Sequence, residues 1–283
     1  MVNLKSIIEN NNDYEIIEKP DGYYISKFTG FEEDEMIVPN VVKGKNIIGI
    51  TECAFLGCKV LKKITVSEGI KVIESAAFRS SSLEKVLLPS TLERIGSEAT
   101  SSRASMGAFS QTSLKEISIP ESVTFIGQHS FYACMQLEKV HLPNNLTSIE
   151  PETFAQCKNL EYINLPKELL DIKHHAFYKC VNLCKIDLPS KLVKIEEYAF
   201  SYCGFEEIHI PNGTKSIGFF AFDKTPLNSI YIPPSVIDFC KNHKLGFTNL
   251  GQTSNDMIIY CAAGSTAMDY ARTKSIKCKK AEF

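Results

Sequence analysis

The chain has 283 residues, of which 44% are hydrophobic, so it is long and apolar enough to bury a substantial core. It carries 31 Lys and Arg residues against 33 Asp and Glu residues, which gives a formal net charge of -2. We therefore expect no nucleic-acid partner, because phosphate binding usually needs a basic excess gathered on one face.

The first 20 residues show no secretory signal. Their first apolar run is only Ile7 and Ile8, and Glu9 and three asparagines follow it. A signal peptide needs a basic segment followed by a continuous apolar stretch. No later stretch reaches the roughly 20 apolar residues of a membrane helix. Taken alone, the sequence predicts a cytoplasmic chain without membrane insertion.

A repeat of 22 or 23 residues fills the middle of the chain. One complete copy is CKNLEYINLPKELLDIKHHAFYKC, from Cys157 to Cys180. A single longer spacing of 31 residues predicts an insertion near residues 97–106, which we expect to form a surface loop. The landmark phenylalanines of the repeat are Phe55, Phe78, Phe109, Phe131, Phe154, Phe177, Phe200 and Phe222.

Each repeat predicts two short strands and a turn. Residues 162–165 alternate between outward and inward side chains, and Pro166 then ends the strand because it has no N–H to donate. Residues 170–172 predict a second strand, and the segment around Phe177 predicts a short helical turn or loop. One copy buries too little apolar surface to be stable, so successive copies must stack. The prediction is an α/β repeat solenoid, rich in strands, of about eight turns.

The pattern LxxIxLPxxLxxIxxxAFxxC resembles the leucine-rich repeats of BspA-like (Treponema pallidum-type) proteins. The resemblance implies a right-handed leucine-rich-repeat coil in a bacterial or protist protein. It also implies a strand-rich N-terminal cap over residues 1–50, repeats over residues 51–235 and a C-terminal cap over residues 236–283. Such caps are expected physically, because end repeats would otherwise expose apolar columns and open sheet edges.

Five cysteines occupy the slot three residues after the landmark phenylalanine: Cys58, Cys134, Cys157, Cys180 and Cys203. Serine or threonine fills the same slot in other turns, so we expect a small buried side chain there. Zinc or redox chemistry is the alternative, but the chain offers no C-x2-C pair. We predict no metal and no cofactor. Free thiols would suit a reducing compartment.

The outward positions of the main strands form the predicted ligand-binding ribbon. They vary in type while the buried columns do not, and solenoids use such extended faces for binding. A solvated sheet face is the alternative. A shared metal is not expected, since His141 and His209 would lie about 14 Å apart. The predicted contact residues are His141, Tyr162, Asn164, Asp187, His209 and Tyr231.

Enzyme activity is not predicted, because the sequence has none of the common nucleophile, phosphate-loop or zinc-protease motifs. The family resemblance implies a protein-binding module, with adhesion to host or matrix proteins by cell-surface or secreted members. An intracellular protein-interaction scaffold is the alternative, favoured by the missing export signal and the unpaired thiols.

Overall fold

A computed structural model describes residues 13–30, 33–97, 106–239 and 257–283. The chain forms two compact units, Met1–Pro143 (unit 1) and Asn144–Phe283 (unit 2). Both are strand-rich parallel coils, which confirms the predicted solenoid, and the chain has about ten turns with little helix. The predicted count of eight is slightly low, because strands in both flanks also pair in parallel with the repeat strands.

The described residues of unit 1 contain twelve strands, most of them only two to four residues long. In chain order they are β1 (Tyr14–Lys19), β2 (Gly22–Phe28), β3 (Glu35–Val38), β4 (Val41–Val42), β5 (Lys45–Ile50), β6 (Lys63–Val66), β7 (Val72–Ile73), β8 (Lys85–Leu87), β9 (Arg94–Ile95), β10 (Glu116–Ser118), β11 (Phe125–Ile126) and β12 (Lys139–His141).

The strands of unit 1 form separate ladders on different sides of the coil. One sheet has the order β1-β2-β5-β7-β9-β11 with β4 paired to β5, another has the order β3-β6-β8, and β10 pairs with β12. Among the strand pairs that the structure describes in unit 1, β1–β2 and β4–β5 are antiparallel and the others are parallel. The insertion near residues 97–106 lies outside the described residues, apart from its ends at Ser97 and Met106.

Unit 2 contains ten strands and one short helix among its described residues. In chain order they are β13 (Ser148–Ile149), β14 (Tyr162–Asn164), β15 (Asp171–Ile172), β16 (Lys194–Ile195), β17 (Glu207–His209), β18 (Ser216–Ile217), β19 (Ser229–Ile232), β20 (Asp238–Phe239), β21 (Ile258–Cys261), α1 (Thr266–Thr273) and β22 (Lys277–Lys280).

Two parallel sheets of unit 2 lie on different sides of its coil, with the orders β13-β15-β16-β18-β20 and β17-β19-β21-β22. Residues 183–189 follow the repeat pattern but form no strand. The sequence pattern was therefore wrong in predicting a strand at Lys185–Leu188. The next turn has one residue fewer between its slot cysteine, Cys203, and its next buried residue, Phe205, and this shorter connection accompanies the break.

One phenylalanine per turn stacks on the next in the core of each unit. The ring centroids from Phe55 to Phe131 are 4.9 to 5.6 Å apart, and those from Phe154 to Phe222 are 5.3 to 5.6 Å apart. All these rings are fully buried. Offset stacking at this distance is favourable beyond the burial of apolar area. The predicted phenylalanine column is thus the core of the coil.

The segment around each landmark phenylalanine is a turn rather than a helix, with a left-handed residue on either side. In unit 2 the residues two before the phenylalanine are Glu152, His175, Tyr198 and Phe220, all with φ between 53° and 56°. The residues two after it are Gln156, Lys179, Tyr202 and Lys224, with φ between 58° and 63°. Such a backbone costs an L residue about 1 kcal/mol or more, so packing of the phenylalanine must outweigh it.

The slot after each phenylalanine holds a small buried side chain, as predicted, and in most turns this side chain is a hydrogen-bond donor. The thiols of Cys134, Cys180 and Cys203 donate to the phenylalanine carbonyl of the preceding turn, at 3.0 to 3.2 Å. Where the slot is Ser81, Thr112 or Thr225, the hydroxyl donates to the carbonyl of its own phenylalanine. The slot therefore selects a small side chain that can satisfy a buried carbonyl.

Substitution of Lys224 by glycine is expected to raise the free energy of unfolding by roughly 0.5 kcal/mol, since glycine removes the left-handed strain but adds disorder to the unfolded chain. The matched control is Lys215→Gly, an exposed lysine whose φ is not left-handed. It should lower the stability by about 0.5 to 1 kcal/mol. Urea unfolding measures both, and equal destabilisation by the two variants would contradict the account.

Thiol reactivity should divide the described cysteines by burial. Burial raises the pKa of Cys58 and Cys134 to about 11 and raises the pKa of Cys180 and Cys203 as well, so little thiolate exists near neutral pH. A brief exposure to iodoacetamide followed by peptide mapping should modify exposed Cys184 first. The slot cysteines should react only in denaturant, and rapid labelling of Cys180 in the native protein would overturn the assignment.

Candidate functional site

An aromatic row runs across the outer face of the sheet β17-β19-β21-β22. It consists of His209, Tyr231 and Tyr260, which are in register on adjacent strands. The rings of His209 and Tyr231 stack with centroids 4.0 Å apart, and those of Tyr231 and Tyr260 stack at 4.3 Å. The planes differ by only 7° to 8°, so the row is a continuous stack that begins at a sheet edge.

The row exists because the strands alternate strictly between core and solvent. Ile208, Ile230 and Ile259 are buried at the preceding position of each strand, which turns the next side chain outward. Parallel pairing then places equivalent residues at neighbouring positions. The Lys279 ammonium lies 5.8 Å from the centroid of the Tyr260 ring and extends the row onto β22.

Glu207 fixes the end of the row at β17. Its carboxylate oxygens lie 3.0 Å from His209 Nε2 and 2.9 Å from the Ser229 hydroxyl, which donates to it. These hydrogen bonds, first that of His209 and then that of Ser229, lower the pKa of the Glu207 carboxyl. Partial desolvation, followed by the charge of Glu207, raises the pKa of Tyr231. At neutral pH the row therefore presents a neutral phenol beside a charged carboxylate.

A cleft of about 680 Å³, here called the ribbon cleft, lies beside β17. Its walls are the segment Cys184–Leu188 on one side and Gly204 with residues 206–209 on the other. The turns approach each other closely at Gly204, where an added Cβ would lie 2.6 Å from the Val181 carbonyl oxygen and 2.8 Å from Cys184 Sγ. Three carboxylates and one ammonium line the cleft, so it is acidic: Asp187, Glu206, Glu207 and Lys185.

The predicted contact residues fall into three groups. The structure brings His209 and Tyr231 into direct contact and places Asp187 with His209 on the ribbon cleft. Tyr162 and Asn164 lie on the outer face of β14, which no ladder of unit 2 joins to β17.

The sixth predicted residue, His141, belongs to unit 1, where it ends β12. Its ring nitrogen Nε2 lies 3.7 Å from Glu116 Oε1 on the neighbouring strand. His141 is therefore not a member of the aromatic row, which lies in unit 2.

Sequence reasoning missed Tyr260 and Lys279, because both lie in the segment assigned to the C-terminal cap. The signal was present, since Ile259 and Cys261 are buried on either side of Tyr260. The same alternation surrounds Tyr231 in the repeat before it. The missing cue was the proline that follows the strand in the repeats, which this segment lacks.

A second aromatic group, here called the corner cluster, lies at the left-handed turns of unit 2. Its central stack is His175, Tyr198 and Phe220, with centroids 4.8 and 5.0 Å apart. Tyr178 and Tyr202 meet edge to face beside it at 5.6 Å. Most of these rings are half-buried against each other. The corner cluster thus follows from the repeated turn geometry.

A groove of about 480 Å³ lies along the other sheet of unit 2, near β16 and β18. Its central carboxylate, Glu196, accepts hydrogen bonds from Lys194 Nζ at 2.8 Å and from the His174 backbone N–H at 3.0 Å. Although partial burial opposes it, the hydrogen bond from Lys194 lowers the pKa of Glu196. Its charge is therefore balanced within the fold, which distinguishes this groove from the ribbon cleft.

The described residues contain no group of three or more His, Cys, Asp or Glu side chains placed to hold a metal ion. Within the same residues, no helix has the length and apolar character to span a bilayer.

Comparison with known proteins gives a family match and several structural matches. The model of the BspA type leucine-rich repeat region, in six copies, matches residues 31–107, 102–225 and 170–254. No curated protein matches the sequence.

Among solved structures, a leucine-rich repeat protein from Bacteroides ovatus is 25% identical with a TM-score of 0.61, over 88% of this chain and 69% of that one. A leucine-rich cell surface protein from Faecalibacterium prausnitzii is 19% identical with a TM-score of 0.45, over 95% and 97%. The leucine-rich repeat protein of T. pallidum is 20% identical with a TM-score of 0.26, over 81% and 79%.

The matched residues cover well over half of the sequence, and they contain the phenylalanine column and the small slot that define the coil. The chain belongs to the BspA-type leucine-rich repeat family.

Proposed function

We propose that the chain is a protein-binding module whose contact surface is the aromatic row together with the ribbon cleft. Leucine-rich repeat membership implies a protein-interaction module, and such proteins are typically binding modules rather than enzymes. The observation that carries the proposal is the outward stack of His209, Tyr231 and Tyr260, which the coil does not need for its core.

The stack is well suited to association because it is ordered before a partner arrives. Each ring is held by its neighbours, so little side-chain freedom remains to be lost on binding. Tyrosine offers a large apolar surface and a hydroxyl, and it is enriched among the residues that dominate interface energies. The polar groups around the row, Glu207 and Lys279, supply a charged rim.

The proposed surface combines predicted and newly found residues. Asp187, His209 and Tyr231 are the predicted residues at its centre, and Tyr260 joins them. Tyr162 and Asn164 on β14 are proposed as further contacts of unit 2. His141 is proposed as a separate contact on unit 1.

Adhesion to a host or matrix protein is the proposed biological role. It is supported by the family resemblance, which implies adhesion by cell-surface or secreted members. An intracellular scaffold is the second candidate, and the observation that favours it is that none of the nine described cysteines lies in a disulfide. Protease shaving of intact cells separates the two roles, because only a surface protein would be digested.

Replacing the row by threonines, in the variant His209→Thr/Tyr231→Thr/Tyr260→Thr, is expected to abolish partner capture. Threonine keeps the strand propensity, so the sheet should stay folded. Loss of Tyr231 and Tyr260 should raise the Kd of a purified partner by at least about 30-fold, since aromatic anchors at an interface contribute about 2 kcal/mol or more. Pull-down followed by biolayer interferometry measures the effect.

The matched control removes aromatic rings from the corner cluster instead, in Tyr178→Ala/Tyr202→Ala. This variant should bind as the original chain does, and circular dichroism should show that both variants are folded. Loss of binding in the corner variant with retention in the row variant would place recognition at the turns and contradict the proposal.

A further inference from the structure

The sheet of the aromatic row has an open edge within unit 2. Strand β17 pairs with β19 on one side, and no strand of the described chain pairs with it on the other. The segment that would be expected there, residues 185–187, forms no strand. A parallel edge inside a coil is unusual, because neighbouring turns normally satisfy it.

The direction of the backbone groups on β17 can be derived from its existing ladder. The Ser229 N–H donates to the Glu206 carbonyl at 3.3 Å, and the Ile210 N–H donates to the Tyr231 carbonyl at 2.9 Å. In a strand, alternate residues turn their N–H and C=O groups to opposite neighbours. The backbone groups of Glu207 and His209 therefore face the ribbon cleft.

The ribbon cleft has the size and charge to receive a ligand at this edge. Its volume of about 680 Å³ falls within the range of small-ligand and peptide sites. Asp187 and Glu206 form no ion pair with the rest of the described chain, nor does Lys185. Two of the three carboxylates thus remain available to an incoming cation.

We propose that the ribbon cleft binds an extended, basic peptide segment of a protein partner, which pairs its backbone with β17 and places lysine or arginine side chains against Asp187, Glu206 and Glu207. This inference rests on the proposed protein-binding function and specifies its partner chemistry. Strand addition to an open sheet edge gives affinity through the backbone, while side-chain pockets give selectivity. The acidic lining selects a basic segment by charge complementarity.

Cys184 reports on occupation of the cleft, because its exposed thiol lies on the cleft wall. The probe is an octapeptide of alternating lysine and valine with blocked ends. At a peptide concentration of about ten times its Kd, the rate of Cys184 alkylation should fall about tenfold, since labelling follows the unoccupied fraction. Peptide mapping separates Cys184 from Cys53 and Cys278, whose rates should stay unchanged.

Two control peptides distinguish backbone pairing from simple charge attraction. The counterpart that is N-methylated at every backbone amide keeps the charge but has no backbone N–H groups, and the glutamate–valine counterpart keeps the backbone N–H groups but reverses the charge. Neither should protect Cys184. Equal protection by either control, or no protection by the lysine–valine peptide, would overturn the inference.

The protein variants test the carboxylates. Glu206→Gln/Glu207→Gln should raise the Kd of the lysine–valine peptide by about fivefold, as expected for two partly exposed charge contacts. The matched control is Glu138→Gln/Glu161→Gln, two exposed carboxylates outside the cleft, which should leave the Kd unchanged. An equal effect of both variants would also overturn the inference.

Failure of this inference is distinguishable from failure of the proposed function. A partner whose binding depends on Tyr231 and Tyr260 but which leaves Cys184 unprotected would retain the proposed function and exclude the cleft. A partner whose binding depends neither on these tyrosines nor on the ribbon cleft would contradict the proposed function as well as this inference.

Discussion

Stacking of one phenylalanine per turn is the contact on which the rest of this molecule depends. A single repeat has too little apolar surface to be stable, and the buried ring of each turn stacks on the rings of the neighbouring turns. A stack with centroids about 5 Å apart sets the separation of the turns. Parallel strands then pair on the sides of the coil, and equivalent outward residues necessarily form rows. The aromatic row is thus a consequence of the core spacing combined with the local choice of His209, Tyr231 and Tyr260.

The left-handed turns around each phenylalanine show that the coil constrains the backbone more than the side chains. The left-handed position before each phenylalanine holds Glu152, His175, Tyr198 or Phe220, because the fold demands a backbone conformation and leaves the side chain open. The slot after it is stricter, since it must be small and must donate to a buried carbonyl. The coil therefore constrains the buried positions and leaves the outward side chains variable. A binding surface arises where these variable side chains lie next to each other.

Repetition decides what could be predicted from the sequence. The phenylalanine column, the slot cysteines and the outward positions of the strands recur in phase, so they could be read without coordinates. Tyr260 could not, because its segment lacks the repeat proline even though its strand continues the same ladder. The break at residues 185–187 could not either, since Lys185–Leu188 matches the repeat pattern. The break coincides with the shorter connection in the next turn, where Gly204 packs against the Val181 carbonyl. Sequence patterns describe one turn at a time, whereas the ribbon cleft is a property of two.

The aromatic row and the ribbon cleft share strand β17, so a partner that uses them should contact one continuous surface of unit 2. Hydrogen–deuterium exchange of the chain with and without a purified partner tests this most directly. The account predicts slower exchange at residues 185–187, β17, β19 and β21 in the complex. Protection confined to the corner cluster, or to unit 1, would contradict it.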